Sequence, residues 1–368
     1  MSLIANIGVL AVFKYYNFLN ENLSFLIGSL GYQNKIPFLY ILLPIGLSFH
    51  TFQAMSYTIE VYRGNYKAEK NFGIYALYVM FFPQLVAGPI ERPQNILPQF
   101  HIKQYLNYED LTAGFRLMLW GFFKKIVIAD RLAVYVDSVY NNAERHSGIT
   151  LLIATIFFAF QIYCDFSGYS DIALGTARVM GYRLMLNFRR PYLSRSIKEF
   201  WSRWHISLST WFRDYLYIPL GGNRVSKPRW YLNIFIVFMI SGLWHGASWT
   251  YIIWGALHGF YQVFGLLADK LKEKIPSLSL KPGPLQIIFQ IGLTFILATF
   301  AWIFFRANSV QDAFTIVNGI FTWKSGGLFI GSASNMLYSL IGLSILFIAE
   351  TSQEYLSQRF NLLHNRYK

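Results

Sequence analysis

Apolar runs of membrane-crossing length recur along this chain, separated by short polar punctuation. A spanning helix needs about 20 mostly apolar residues, and such runs fall at about 2–19, 36–59, 72–90, 111–138, 149–166, 168–182, 230–246, 248–267, 285–305 and 333–350. They predict an all-α polytopic membrane protein of about eight to ten transmembrane helices. Several runs are interrupted in ways a simple anchor is not. Pro44 and Gly46 break the second, Phe82-Pro83-Gln84 and Gly88-Pro89 the third, and Lys124-Lys125 the fourth. Irregular backbone at membrane depth is tolerated only where protein buries it or a watery cavity receives it. One packed domain over 1–368 is therefore expected, with re-entrant pieces around a central chamber.

Composition sharpens this picture. Of 368 residues, 54% are hydrophobic and only 14% charged, against about 25% charged in ordinary soluble domains. That excludes a string of soluble domains. The net charge of +14 would suggest nucleic acid in a soluble protein, but here lipid is the expected partner and nucleic acid is not. Between Arg178 and Arg229 eleven Lys and Arg stand against two acids, Glu199 and Asp214. By the positive-inside rule the 178–229 region faces the cytoplasm, which predicts a multi-pass protein of the cell (inner) membrane. Within it Phe200, Trp204, Leu208, Trp211, Phe212 and Tyr215 recur at helical spacing, the pattern of an aromatic-faced helix lying in the interface. Cys164 is the only cysteine, so no intrachain disulfide and no thiolate metal site is expected. The N-terminus lacks a basic n-region and a small-residue cleavage site, so no cleaved signal peptide is expected.

From Trp230 to His245 a helix would rise about 22 Å, short of a ~30 Å hydrocarbon core. Gly246-Ala247-Ser248-Trp249 should then turn the chain back towards Lys270. His245 is thus expected deep in the membrane, at the closed end of a helical hairpin.

Ionisable residues at membrane depth are functional candidates: His50, Asp165, Asp171, His205, His245 and His258. His245 stands out because Gly242 and Gly246 flank it and would let a substrate approach closely. An imidazole of ordinary pKa can take a proton from a hydroxyl; the competing reading is a core histidine bonded between helices. His205 taken alone reads as an interfacial histidine or a catalyst, and His50 and His258 as packing hydrogen-bonders. Asp165 and Asp171 bracket Gly168, which suggests a helix break; a structural role is expected for both, capping backbone donors or pairing with arginines such as Arg178. There is no nucleophile elbow, P-loop, dinucleotide fingerprint or His-Glu-x-x-His zinc site.

The run from Arg190 to Ser209, with Glu199-Phe200-Trp201-Ser202-Arg203-Trp204-His205 at its centre, resembles the signature of the membrane-bound O-acyltransferase family. So do Phe212 to Asn223, Gly88 to Pro93, Asp165 to Ala173, and Gly242-Leu243-Trp244-His245-Gly246. The chain is most similar to the bacterial branch that O-acetylates alginate. The resemblance implies His245 as the catalytic histidine and His205 as a second signature histidine near the cytoplasmic mouth. It also implies Trp204, Ser207, Arg213, Asp214 and Trp244 as substrate-binding residues. No bound cofactor or metal is implied; an acyl thioester, acetyl-CoA, is the donor substrate. The acceptor is a hydroxyl of an exported or envelope polysaccharide, reached through a periplasmic or extracellular partner acyltransferase of serine-hydrolase type. Relatives carry further hydrophobic segments at both ends, so a chain truncated at each end, with its stop at Asn365 to Lys368, is expected. A transporter of polymer or acyl carrier without covalent chemistry is the alternative that broken helices and intramembrane ionisable groups also fit.

Overall fold

The computed structural model describes residues 1–42, 44, 46–274 and 283–356; the expected stop at 365–368 lies outside them. All regular structure among the described residues is helical. Five runs are long and apolar enough to cross a membrane: Ser2–Ser29, Gly148–Val179, Trp249–Leu271, Pro284–Arg306 and Ala333–Tyr355. The first consists of α1 (Ser2–Leu10) and α2 (Tyr16–Ser29), joined by a π turn at Ala11–Tyr15. The segment expected at 36–59 is helical only from Leu47, in α3 (Leu47–Tyr62); before it, residues 32–42 run without helix against α2, where Asn17 donates to the Leu39 carbonyl at 2.7 Å and accepts its N–H at 2.9 Å. The third segment is broken as expected. It comprises α4 (Phe72–Met80) and a 3-10 turn at Phe82–Gln84, and α5 (Pro93–Phe100) follows it.

The longest helical run follows, α6 (Tyr108–Phe122), a π turn at Phe123–Ala129, and α7 (Asp130–Tyr140). Against it lies α8 (Gly148–Val179), a single helix of 32 residues. The break expected at Gly168 is absent, and the two predicted segments on either side of it are one. Gly168 serves packing instead. A methyl group built on Gly121 would lie 2.6 Å from the Gly168 carbonyl oxygen, and one on Gly175 2.6 Å from that of Gly114. The four glycines, seven residues apart on each helix, let α6 and α8 touch backbone to backbone, which is how helices gain contact when lipid offers no hydrophobic drive.

Two short helices come next, α9 (Ile197–Arg203) and α10 (Ile206–Phe212), the second running into a π turn at Arg213–Tyr217. This corrects the expected continuous interfacial helix. Trp204, Leu208, Trp211 and Phe212 are buried, so the aromatic stripe packs into protein rather than lipid. The hairpin forms as expected, from α11 (Lys227–His245) and α12 (Trp249–Lys274), followed by α13 (Pro284–Arg306), α14 (Val310–Phe321) and α15 (Ala333–Tyr355). The main core gathers α7, α8, α9, α12 and α13 around Trp204, Trp254 and Trp302.

Gly168→Leu should force α6 and α8 apart. Overpacking of this kind costs about 1–3 kcal/mol, expected as a lowered unfolding temperature in detergent, while Gly28→Leu, where a Cβ meets open space, should leave it unchanged.

Candidate active site

Three histidines converge on one aromatic cluster. The first is His205, at the break between α9 and α10, where its backbone takes a left-handed conformation (φ 45, ψ 52). A non-glycine residue there costs of order 1 kcal/mol or more and persists only when its surroundings over-determine it. They do. The Ile206 N–H donates to the Asn187 carbonyl at 2.9 Å, the Ser207 hydroxyl to Asn187 Oδ1 at 2.9 Å, and the Arg189 N–H to the Arg203 carbonyl at 2.9 Å. Arg203 is held in turn by Glu199 at 2.6 Å and by Glu354 of α15 at 2.9 Å, and Glu354 also takes Arg190 at 2.6 Å. The strain aims the imidazole inward, 4.6 Å from the Phe166 ring and 6.1 Å from Trp244. It is buried, and neither ring nitrogen has a hydrogen-bond partner among the described residues.

His245 is the last residue of α11. Its ring packs edge-on against Trp244 (4.9 Å), Trp254 (5.0 Å) and Phe305 (5.2 Å). It remains partly accessible, and no hydrogen bond reaches its imidazole from the described residues. The glycines beside it do not open a path for substrate, contrary to the expectation above. A methyl on Gly242 would strike the Tyr251 carbonyl and one on Gly246 the Tyr251 ring; both glycines are spent on closing α11 against α12. His258, on the far side of Trp254 at 5.0 Å, is fully buried and accepts from Trp201 Nε1 at 3.2 Å through Nδ1. That leaves its Nε2 to carry the proton, without a partner among the described residues.

Two clefts lie beside this cluster. One, of about 490 Å³, lies between α9–α10 and the α11–α12 hairpin, with Trp201, Phe238 and Ser241 at its inner wall and Lys198 and Arg213 on its rim. The other, of about 440 Å³, lies where α12 begins and α13 ends, lined by Tyr251, Phe305, Ser248, Asp165 and Arg306. Trp201 packs on Trp254 at 5.8 Å, Trp254 on His245, and His245 on Phe305. His245 thus sits behind the linings of both clefts, one ring (Phe305) from the second and two (Trp254, Trp201) from the first.

The other residues singled out from the sequence are more scattered. Trp244 touches both catalytic candidates. Trp204 is core, 5.0 Å from Trp302, and Ser207 is committed to Asn187. Arg213 is exposed and reaches the rim of the first cleft, and Asp214 joins it at 2.8 Å and Arg92 at 3.1 Å. Asp171 and Asp165 pair with lysines of the α6–α7 π turn, not with arginines: Lys124 meets Asp171 at 2.9 Å and Ser167 Oγ at 2.8 Å, and Lys125 meets Asp165 at 2.6 Å. Arg178 pairs with Asp110 at 3.0 Å. Being six apart on a continuous helix, the two aspartates point to different lysines. His50 packs beneath the Gly46 turn.

Sequence reasoning missed Lys14 and Tyr15, whose side chains donate to the Trp244 and Leu243 carbonyls at the end of α11, and Asn187, which holds the His205 turn. Lys14 was visible as a charge inside an apolar run; Asn187 carried no signal.

The family model of the membrane-bound O-acyltransferases matches residues 70–310, the region that holds both clefts and all three histidines. The chain belongs to the membrane-bound O-acyltransferase family. Among curated relatives, a protein named probable alginate O-acetylase of Pseudomonas aeruginosa is 40% identical over 95% of this chain and 65% of its own length. A Helicobacter pylori peptidoglycan O-acetyltransferase is 36% identical over 87% of the chain and 64% of its own, and a Streptococcus thermophilus teichoic acid D-alanyltransferase is 31% identical over 78% and 70%. The chain therefore spans just under two thirds of the length of the first two.

The lysine pairs differ in what their loss should cost. Asp171→Ala leaves Lys124 buried and unpaired, worth about 3–5 kcal/mol; Asp165→Ala leaves the half-exposed Lys125 with Asp130 at 2.8 Å, worth at most about 1 kcal/mol. Thermal unfolding in detergent should rank the two variants in that order.

Proposed function

We propose that the chain is a membrane O-acyltransferase, transferring an acetyl group from acetyl-CoA on the cytoplasmic side towards hydroxyls of an exported or cell-envelope polysaccharide such as alginate. The observation that carries this reading is His245, an imidazole without a hydrogen-bond partner among the described residues, separated by one aromatic side chain from one cleft (Phe305) and by two from the other (Trp254, Trp201). The cleft rimmed by Lys198 and Arg213 suits the phosphates of a donor, and it opens on the basic side that the positive-inside rule assigns to the cytoplasm. The second cleft, with Ser248 and Asp165 in its lining, suits a hydroxyl acceptor.

In this reading a ring nitrogen of His245 takes the proton of the acceptor hydroxyl as its oxygen attacks the thioester carbonyl. A C–O bond forms, the C–S bond breaks, and the departing thiolate takes the proton back from the imidazolium. General-base assistance of this kind contributes roughly 10²–10⁴ in rate. The hydroxyl belongs to the polymer or to a serine-hydrolase-type partner that completes delivery to sugar. The names of the relatives support acyl transfer to cell-surface polymers. Among the described residues His205, with no bonding partner of its own, is the second candidate to meet substrate.

The test is mass spectrometry of envelope polymers from cells whose own gene is deleted. His245→Ala, at wild-type abundance in the membrane, should lower polymer acetylation by roughly 10²–10⁴. His205→Ala should lower it on the order of 10²-fold through misplacement of the reacting groups. Full acetylation with His245→Ala overturns the reading and would favour transport without covalent chemistry.

A further inference from the structure

The end of α11 poses a problem that the hairpin alone does not solve. The last carbonyls of a helix have no partner within it, and at membrane depth no bulk water supplies one. The Gly246 N–H reaches the Gly242 carbonyl at 3.3 Å. Leu243 and Trp244 are served from another helix: Tyr15 donates its hydroxyl to the Leu243 carbonyl at 2.7 Å, and the Lys14 ammonium donates to that of Trp244. Lys14 also donates to Ser48 Oγ of α3 at 3.3 Å and lies 5.6 Å over the Trp244 ring.

Local geometry makes this double reach possible. Lys14 and Tyr15 are adjacent in sequence, and in a regular α-helix adjacent side chains diverge. They fall in the π turn Ala11–Tyr15, whose wider winding turns both towards one helix end. Such turns recur at functional sites. A cation at a helix C-terminus also meets the favourable end of the dipole, and the donor–acceptor contacts and the Trp244 ring offset part of the cost of placing Lys14 at this depth.

We propose that Lys14 and Tyr15 form a positioning clamp for His245. Both are positioning residues rather than catalytic ones, since their side chains are engaged with backbone carbonyls of α11 and act through them. They hold the two carbonyls that immediately precede His245 and so fix the rotation of the last turn of α11, and with it the direction of the imidazole. The inference deepens the acyltransfer reading and rests on it for its effect on rate.

The test uses the full-length gene product in native membranes with acetyl-CoA as donor, comparing wild type, His245→Ala, Lys14→Met, Lys14→Arg and Tyr15→Phe. In parallel, carbethoxylation of His245 by diethyl pyrocarbonate is read by mass spectrometry against exposed His101. The clamp predicts that Lys14→Met lowers kcat roughly 10- to 100-fold with the KM for acetyl-CoA within about twofold, that Lys14→Arg restores most of the loss because it keeps charge and donors, and that Tyr15→Phe acts in the same direction as Lys14→Met. Labelling of His245 relative to His101 should change several-fold in Lys14→Met and Tyr15→Phe but not in Lys14→Arg. Wild-type kcat in both Lys14→Met and Tyr15→Phe overturns the clamp; so does a loss confined to KM. If Lys14→Met does not accumulate, Tyr15→Phe decides by the same criteria. If wild type transfers no acetyl, or His245→Ala still does, the acyltransfer reading fails, and the labelling alone decides the clamp: a change supports it and unchanged labelling overturns it.

Discussion

A helix that stops inside a membrane must hand its last carbonyls to something other than water. The end of α11 meets that demand within a few residues, and the rest of the site follows from how it does so. Gly246 turns back to Gly242, the α11–α12 hairpin closes on glycines because Tyr251 leaves no room for a side chain, and the π turn of the first membrane helix reaches across to the Leu243 and Trp244 carbonyls. With the Leu243 and Trp244 carbonyls bonded from outside α11, the imidazole of His245 is not drawn on to cap them. It stays a polar ring without a bonding partner among the described residues, in aromatic surroundings where one would ordinarily be costly.

The same economy governs the other breaks in the fold. The left-handed turn at His205 is tolerated because Asn187 and Arg189 absorb the exposed backbone groups and Glu354 anchors Arg190 and Arg203 beside it. The π turn after α6 places Lys124 and Lys125 against two aspartates of α8, where the glycine contacts bring the helices close enough for such short pairs. Charges and broken helices here are compensated locally, each by a neighbour on a different element. The two catalytic candidates both end up against Trp244, one presented by strain and the other by a helix end.

Much of this was legible in the sequence, and the failures have a common cause. The all-helical membrane architecture, the broken third segment, the hairpin and the placing of His245 at its closed end follow from hydropathy, helix rise and the Gly246 to Trp249 turn. Glycine was misread twice. Gly168 looked like a break and is a contact point inside a 32-residue helix; Gly242 and Gly246 looked like room for substrate and are room for Tyr251. A glycine in a membrane helix marks close approach, but sequence does not say by what. The aromatic stripe from Phe200 to Tyr215 has helical spacing, yet the chain breaks within it at His205, whose conformation is held by Asn187, and no periodicity reports a contact between elements about 20 residues apart. The partners of Asp165 and Asp171 were out of reach for the same reason.

The pair of clefts beside His245 gives the proposed chemistry a direction, since the donor should be used only from the face carrying Lys198 and Arg213 and only through His245. Membrane vesicles prepared inside-out and right-side-out from the same cells test this directly when acetyl-CoA labelled in its acetyl group is added outside. Label is predicted to enter envelope polymer in inside-out vesicles alone, and to be lost when those vesicles carry His245→Ala. Equal incorporation in both orientations, or incorporation that survives His245→Ala, would contradict it.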